Sequence, residues 1–169
     1  MPNRRITSKA RDGSVQLADC LSSLFALELM HPSPEIYLLS PWISNMTLVN
    51  NRFGQFRAIM GDMGGTDLRL ATILITLAER GVKVRIICRP NHSQTDEFLN
   101  LLPEQIEYRH LETLHEKGLI THSFYLRGSM NFTYSGINLN DESVELTTDP
   151  HDVVLALLEA RQRWESLSK

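Results

Sequence analysis

The pattern of apolar residues predicts an α/β protein: a mixed, mostly parallel β-sheet flanked by helices, in a single domain. Two stretches carry that expectation. Residues 35–43 (EIYLLSPWI) are β-rich and mostly apolar, the composition of a central strand buried on both faces. Further on, Leu70, Ile73, Leu74, Leu77 and Ala78 mark one face of a helix that passes through Gly81 straight into residues 82–88 (VKVRIIC), the helix-to-strand step of a parallel sheet. At 169 residues, 42% apolar and 22% charged, the chain suits one domain with a full core and shows no sign of repeats or disorder.

Taken in order, residues 1–13 carry Arg4, Arg5, Lys9 and Arg11 and read as a solvated basic N-terminal arm that can touch phosphates; residues 14–169 form the domain. From Ser14 the residues Leu17, Leu21, Leu24, Phe25 and Leu29 recur at helical spacing, with Asp12-Gly13 to start the helix and His31-Pro32-Ser33-Pro34 to end it. After the strand at 35–43, residues 44–67 form a Gly-rich insertion in which Arg52, Phe53, Phe56 and Arg57 interleave with Gly54, Gly61, Gly64 and Gly65. Two readings stay open for it: a grip on a nucleic-acid backbone and bases, or an amphipathic insertion that packs its phenylalanines on the domain. It is not a Walker loop, because no Gly-Lys-Ser/Thr follows.

Thr66 or Asp67 is placed to cap the helix beginning near Leu70, and Gly81 to close it. Arg89 and His92 fall just past the carboxyl end of the 82–88 strand, where open α/β sheets bind ligands, and Arg89 is the phosphate candidate of the two. Ser93 or Thr95 opens a short helix that Pro103 stops, and residues 106–111 read as a strand. Residues 132–137 begin a helix whose N-terminal amides suit an anion, and residues 143–147 return as a strand. Asp149-Pro150 then opens a terminal helix with Val154, Leu157, Leu158 and Trp164 on its inner face.

The chemistry is concentrated between Leu114 and Leu146. His115 and Lys117 stand two apart in a segment of strand character, so they project from the same face. Gly128-Ser129-Met130-Asn131 offers a turn with a hydroxyl and an amide, and Glu142 follows in a polar loop. An imidazole that attacks phosphorus splits one displacement into two easier steps through a covalent intermediate. Glu142 is available to fix its tautomer, and Lys117, Asn131 and Ser129 to hold the non-bridging oxygens. No cluster of carboxylates or histidines has metal-ligand spacing, so neither a metal nor another cofactor is expected. Cys20 and Cys88 lie in apolar segments and read as buried free thiols.

His115-x-Lys117, then Gly128-Ser129-x-Asn131-Phe132-Thr133 and Asn140-Asp141-Glu142, resemble the HKD signature of the phospholipase D superfamily, above all its small single-motif Nuc-type bacterial nucleases. The phrase AERGVKVRIICRP resembles the helix-to-strand element that many members carry ahead of the motif. The resemblance implies a phospholipase D-like fold and a phosphohistidine at His115. His122 stands where the family motif has its aspartate, a residue that some nuclease branches also lack; counted along a strand it faces away from His115 and Lys117, which favours a structural role. Members with two motifs draw the acid for the leaving oxygen from the second. One HxK per chain therefore implies a two-fold homodimer with a shared active site.

The expected function is a metal-independent phosphodiesterase, a nuclease acting on DNA, within a bacterial DNA restriction, modification or defence system and its partner proteins. A formal net charge of −3 gives no global attraction to nucleic acid, so binding must come from local cations: Arg52, Arg57, Arg89, Arg127 and the basic arm. A phospholipid phosphodiesterase would share the chemistry, although no amphipathic membrane helix or anchor is evident. A catalytically inactive phospholipase D-like binding or assembly module is the third reading, motivated by His122 and the acidic balance. With no signal-peptide h-region and no apolar run near ~20 residues, a cytoplasmic protein without membrane contact is expected.

Overall fold

The computed structural model describes residues 3–8, 15–51, 53–54, 56–60 and 67–167. Along them run β1 (Arg4–Ser8), α1 (Val15–Met30), β2 (Glu35–Leu39), β3 (Thr47–Asn50), α2 (Arg57–Met60), β4 (Asp67–Arg69), α3 (Leu70–Glu79), β5 (Lys83–Cys88), α4 (Ser93–Leu99), β6 (Glu107–His110), β7 (Gly118–Ile120), β8 (Tyr125–Gly128), α5 (Tyr134–Asn138), β9 (Glu142–Thr147) and α6 (Pro150–Ser166). One sheet has the order β1-β9-β8-β7-β2-β5-β6, and β3 pairs separately with β4. The expected mixed α/β sheet flanked by helices is present in one domain. Its parallel ladders join β2, β5 and β6, while β2-β7-β8-β9-β1 is antiparallel.

The apolar run of β2 explains its central place. Ile36 and Leu38 point to one face, where they join Leu17, Leu21 and Phe25 of α1 and Ile73, Leu74 and Leu77 of α3. Tyr37 and Leu39 point to the other, against Val153, Leu157 and Trp164 of α6. Each such buried side chain contributes about 1.5–3 kcal/mol relative to exposure, which is why the strand cannot slip by one residue without losing both layers.

Several sequence expectations are corrected. Arg4–Ser8, read as a solvated arm, is edge strand β1, paired residue by residue with β9; with Ile6 as its single apolar residue, the segment carries no alternation that marks a strand. The strand read over 35–43 ends at Leu39, where Pro41 turns the chain out and Ile43 returns as a single bridge to Phe132. Asp67 lies in β4 and does not cap α3; the Ala71 N–H donates to Asn45 Oδ1 at 3.0 Å, so the cap comes from a distant loop. On α6 the buried face is Val153, Ala156, Leu157, Ala160 and Trp164, whereas Val154 and Leu158 are exposed.

In the insertion, Phe56 packs against the core and Phe53 is exposed. Arg52, Thr66, Gly61, Gly64 and Gly65, like Lys9, Arg11 and Asp12-Gly13, lie outside the described residues.

Candidate active site

Strand direction gathers the chemistry at one end of the sheet. β2 and β5 run parallel, so their carboxyl ends coincide. β7 is antiparallel to β2, which brings its amino end there; β8 then contributes its carboxyl end and β9 its amino end. His115 and Lys117, Arg89, Ser129 and Asn131, and Glu142 therefore meet across strands far apart in sequence.

His115 and Lys117 were expected within a strand. They sit in the extended segment just before β7, and the Gly128 N–H donates to the Lys117 carbonyl at 3.2 Å, carrying the β7-β8 ladder that far. The shared face is real all the same: Lys117 Nζ stands 3.4 Å from His115 Nδ1 and donates to the His115 carbonyl at 2.7 Å. His115 is exposed and Lys117 half-buried. Burial pushes the Lys117 ammonium below its ordinary value, the Arg89 guanidinium adds to that, and Glu142 pulls the other way. Arg89 is thus a neighbour of the pair. Its Nε donates to the Leu114 carbonyl at 2.6 Å, one residue before His115.

At Gly128 the chain packs tightly on β9: a Cβ there would lie 2.2 Å from the Ser143 carbonyl oxygen. This crowding joins Ser129 to the next strand, where its hydroxyl donates to Glu142 and accepts from the Ser143 N–H at 3.0 Å. Glu142 was read as part of a polar loop; it is the first residue of β9, and it also accepts from Asn140 Nδ2 at 3.3 Å. The bonds seen at its carboxylate thus organise Ser129 and Asn140, and its charge is felt at Lys117. Asn131 lies beside Ser40, a buried hydroxyl at the exit of β2 that bonds the next residue's backbone. That hydroxyl donates to the Trp42 carbonyl at 2.7 Å, accepts from the Phe132 N–H at 3.1 Å and lies 3.4 Å from Asn131 Oδ1.

A cleft of about 890 Å³ opens beside His115 and Lys117 along the sheet face that α6 leaves uncovered. Arg127 lines it but is paired with Glu145, Nη2 to Oε2 at 3.0 Å. Arg5 of β1 also lines it, its Nε donating to Ser143 Oγ at 3.0 Å. Arg57 is not brought to the site. It begins α2, whose Ile59 carbonyl is bonded by Arg80 between α3 and β5, at the opposite end of the sheet. His122 lies at that far end too, its Nε2 3.4 Å from Glu35 Oε1 and its N–H donating to Ser33 Oγ at 3.1 Å. Sequence reasoning missed Ser40 and placed Arg5 on a free arm; the one available signal was a hydroxyl closing an otherwise apolar strand. Among the described residues no group of three or more His, Cys, Asp or Glu side chains is arranged to hold a metal ion, and no helix is long and apolar enough to cross a membrane.

An exposed imidazole beside a half-buried ammonium and a guanidinium, at the carboxyl ends of the parallel strands of a mixed α/β sheet, is an arrangement chemically suited to a phosphate group. Residues 53–164 match the family model described as cardiolipin synthase, PLD-like domain, and the chain belongs to this phospholipase D-like family, whose members are phosphodiesterases. Among solved structures it is similar to NucT from Helicobacter pylori (20% identity, 98% of this chain and 97% of that one, TM-score 0.62). It is likewise similar to Nuc, a phospholipase D family member from Salmonella typhimurium (17% identity, 99% and 97%, TM-score 0.64). TrmBL2, an archaeal chromatin protein described as having a novel mode of DNA binding, shares the fold over 55% of its own length (16% identity, 98% of this chain, TM-score 0.52). No curated protein sequence matches the chain.

Proposed function

We propose that this chain is a nuclease that cleaves DNA phosphodiesters without a metal, through a phosphohistidine at His115. The observation that carries the reading is the exposed His115 imidazole with Lys117 Nζ at 3.4 Å, in a segment that Arg89 anchors through the Leu114 carbonyl. A ring nitrogen of His115 attacks phosphorus as the bond to the leaving oxygen breaks, and water then displaces the imidazole from phosphorus. Lys117 and Arg89 hold the non-bridging oxygens as charge builds, with Asn131 and Ser129 completing the cradle. The leaving oxygen needs a proton, and the described part of the chain carries one HxK, so the acid is the His115 of a second copy across a two-fold axis. The overall likeness to the Nuc proteins supports nucleic acid as the substrate.

The description of the matching family favours a second reading, a phospholipid phosphodiester at the same site. Single-stranded DNA, duplex DNA, RNA, a chromogenic phosphodiester and phospholipid vesicles, each assayed with and without EDTA, separate the two. DNA cleavage insensitive to EDTA is the expected result. Cleavage of vesicles alone would replace the nuclease reading, and no turnover of any substrate would make the chain a binding module.

A further inference from the structure

Just beyond the site the structure holds an aromatic pair that the phosphate chemistry does not use. The Trp42 and His92 rings stack with centroids 5.6 Å apart and an interplanar angle of 25°. With one face against the imidazole, Trp42 remains 41% exposed, whereas Trp164, the other of the two tryptophans, is 2% exposed in the core. Hydrogen bonds fix the surroundings of the pair. His92 caps α4, its Nδ1 lying 3.0 Å from Thr95 Oγ1 and accepting from the Thr95 N–H at 3.4 Å, and the same Thr95 oxygen accepts from the Ile43 N–H at 3.1 Å, next to Trp42. Asn91, immediately before His92, adopts φ +60°, a left-handed conformation uncommon outside glycine, which turns the chain toward Trp42.

The platform is tied to the site from two sides. The Trp42 carbonyl accepts from Ser40 Oγ, the hydroxyl that lies against Asn131. The Pro41 carbonyl accepts from the Arg89 N–H at 3.1 Å, while the Arg89 side chain holds Leu114 beside His115. Arg89 thus links the platform to the segment that carries His115 and Lys117, its backbone bonded to Pro41 and its side chain to Leu114.

We propose that Trp42, backed by His92, is a stacking platform for an unpaired nucleobase adjoining the phosphate held at His115 and Lys117, so that single-stranded DNA is the preferred substrate. The proposal rests on the nuclease reading above. A flat, one-sided stack suits a planar ligand, whereas a quaternary ammonium headgroup calls for aromatic walls on several sides. A paired base has both faces occupied by its neighbours in the duplex, so an unpaired base is what can use the platform.

Two measurements test it. In His115→Ala protein, which binds without cleaving, oligodeoxythymidylate should quench tryptophan fluorescence, and Trp42→Phe in that background should remove most of the quench because Trp164 is buried. In active protein, Trp42→Ala should raise KM for single-stranded DNA roughly 10-fold, by the usual worth of one base-aromatic stack, and erase its advantage over duplex. The same change should leave the chromogenic phosphodiester within about twofold of wild type and the salt dependence of DNA binding unaltered, because stacking releases no counterion. Trp42→Phe should keep most of the single-strand preference. The platform is overturned by saturating oligonucleotide that leaves Trp42 unquenched, by quenching with phosphatidylcholine vesicles and not DNA, or by equal loss on all substrates in Trp42→Ala. DNA cleavage without strand preference would sink the platform alone, whereas the absence of any DNA cleavage by wild type would sink the nuclease reading beneath it.

Discussion

Lys117 Nζ lies 3.4 Å from His115 Nδ1 and donates at 2.7 Å to the carbonyl of the same histidine, so the ammonium is held against the imidazole. Lys117→Ala should lower kcat/KM on a chromogenic phosphodiester about 100-fold or more. The ammonium is the useful form, and burial followed by the Arg89 charge lowers its pKa. It therefore loses its proton at a lower pH than an ordinary lysine, and activity should fall on the alkaline side earlier than such a lysine would allow. Arg89→Ala removes one cause of that lowering and should move the alkaline limb upward in a pH-rate profile.

His115 is exposed and supports no core contact, so His115→Ala should abolish turnover while thermal denaturation shows a Tm within about 1–2 °C of wild type. Mixing wild-type and His115→Ala chains should depress activity more steeply than dilution does. A fully active species with the mass of one chain by light scattering would refute the shared site.

Arg89 and Arg57 should part company. Arg89 anchors Leu114 beside His115, so Arg89→Ala should impair both DNA and a chromogenic phosphodiester, by roughly 10-fold or more. Arg57 belongs to the far end of the sheet, and Arg57→Ala should leave both rates within about twofold. A selective loss of DNA binding in Arg57→Ala would show that substrate wraps around the domain.

Gly136 packs directly on the site loop: a Cβ there would lie 2.2 Å from the Asn131 carbonyl oxygen. Gly136→Ala should therefore displace Asn131 and cut kcat, at a stability cost of about 1–3 kcal/mol read by denaturant titration. Unchanged kcat in that variant would remove Asn131 from the cradle.

Glu35 and His122 give an acid-side expectation. Burial pushes the Glu35 carboxyl upward, but Arg161, then His122 and Tyr37, hold it below the usual carboxylate range. A depressed carboxylate stabilises the fold above its unfolded pKa, and that contribution disappears as pH falls through the folded value. His122→Ala should weaken this and shift acid unfolding to higher pH. His122→Asp would face Glu35 with a second carboxylate and should cost about 1 kcal/mol, a drop of roughly 2–4 °C in Tm at neutral pH.

Local pattern was sufficient for much of this protein. The buried strand starting at Glu35, the helix from Leu70 and the strand that follows it are legible because apolar spacing reports which faces meet the core, and the HxK pair because two residues of one extended segment must share a side. What only tertiary structure decided depends on partners distant in sequence. β1 exists because β9 offers it a ladder, Asn45 caps α3 from another loop, and Ser40 accepts from the Phe132 N–H across 92 residues of chain. Arg89 and Arg57 look alike as cations in the sequence, yet strand direction places one beside His115 and the other at the opposite end. Residue identity names the chemistry a side chain can do, but the order in which strands pair determines which of those side chains meet.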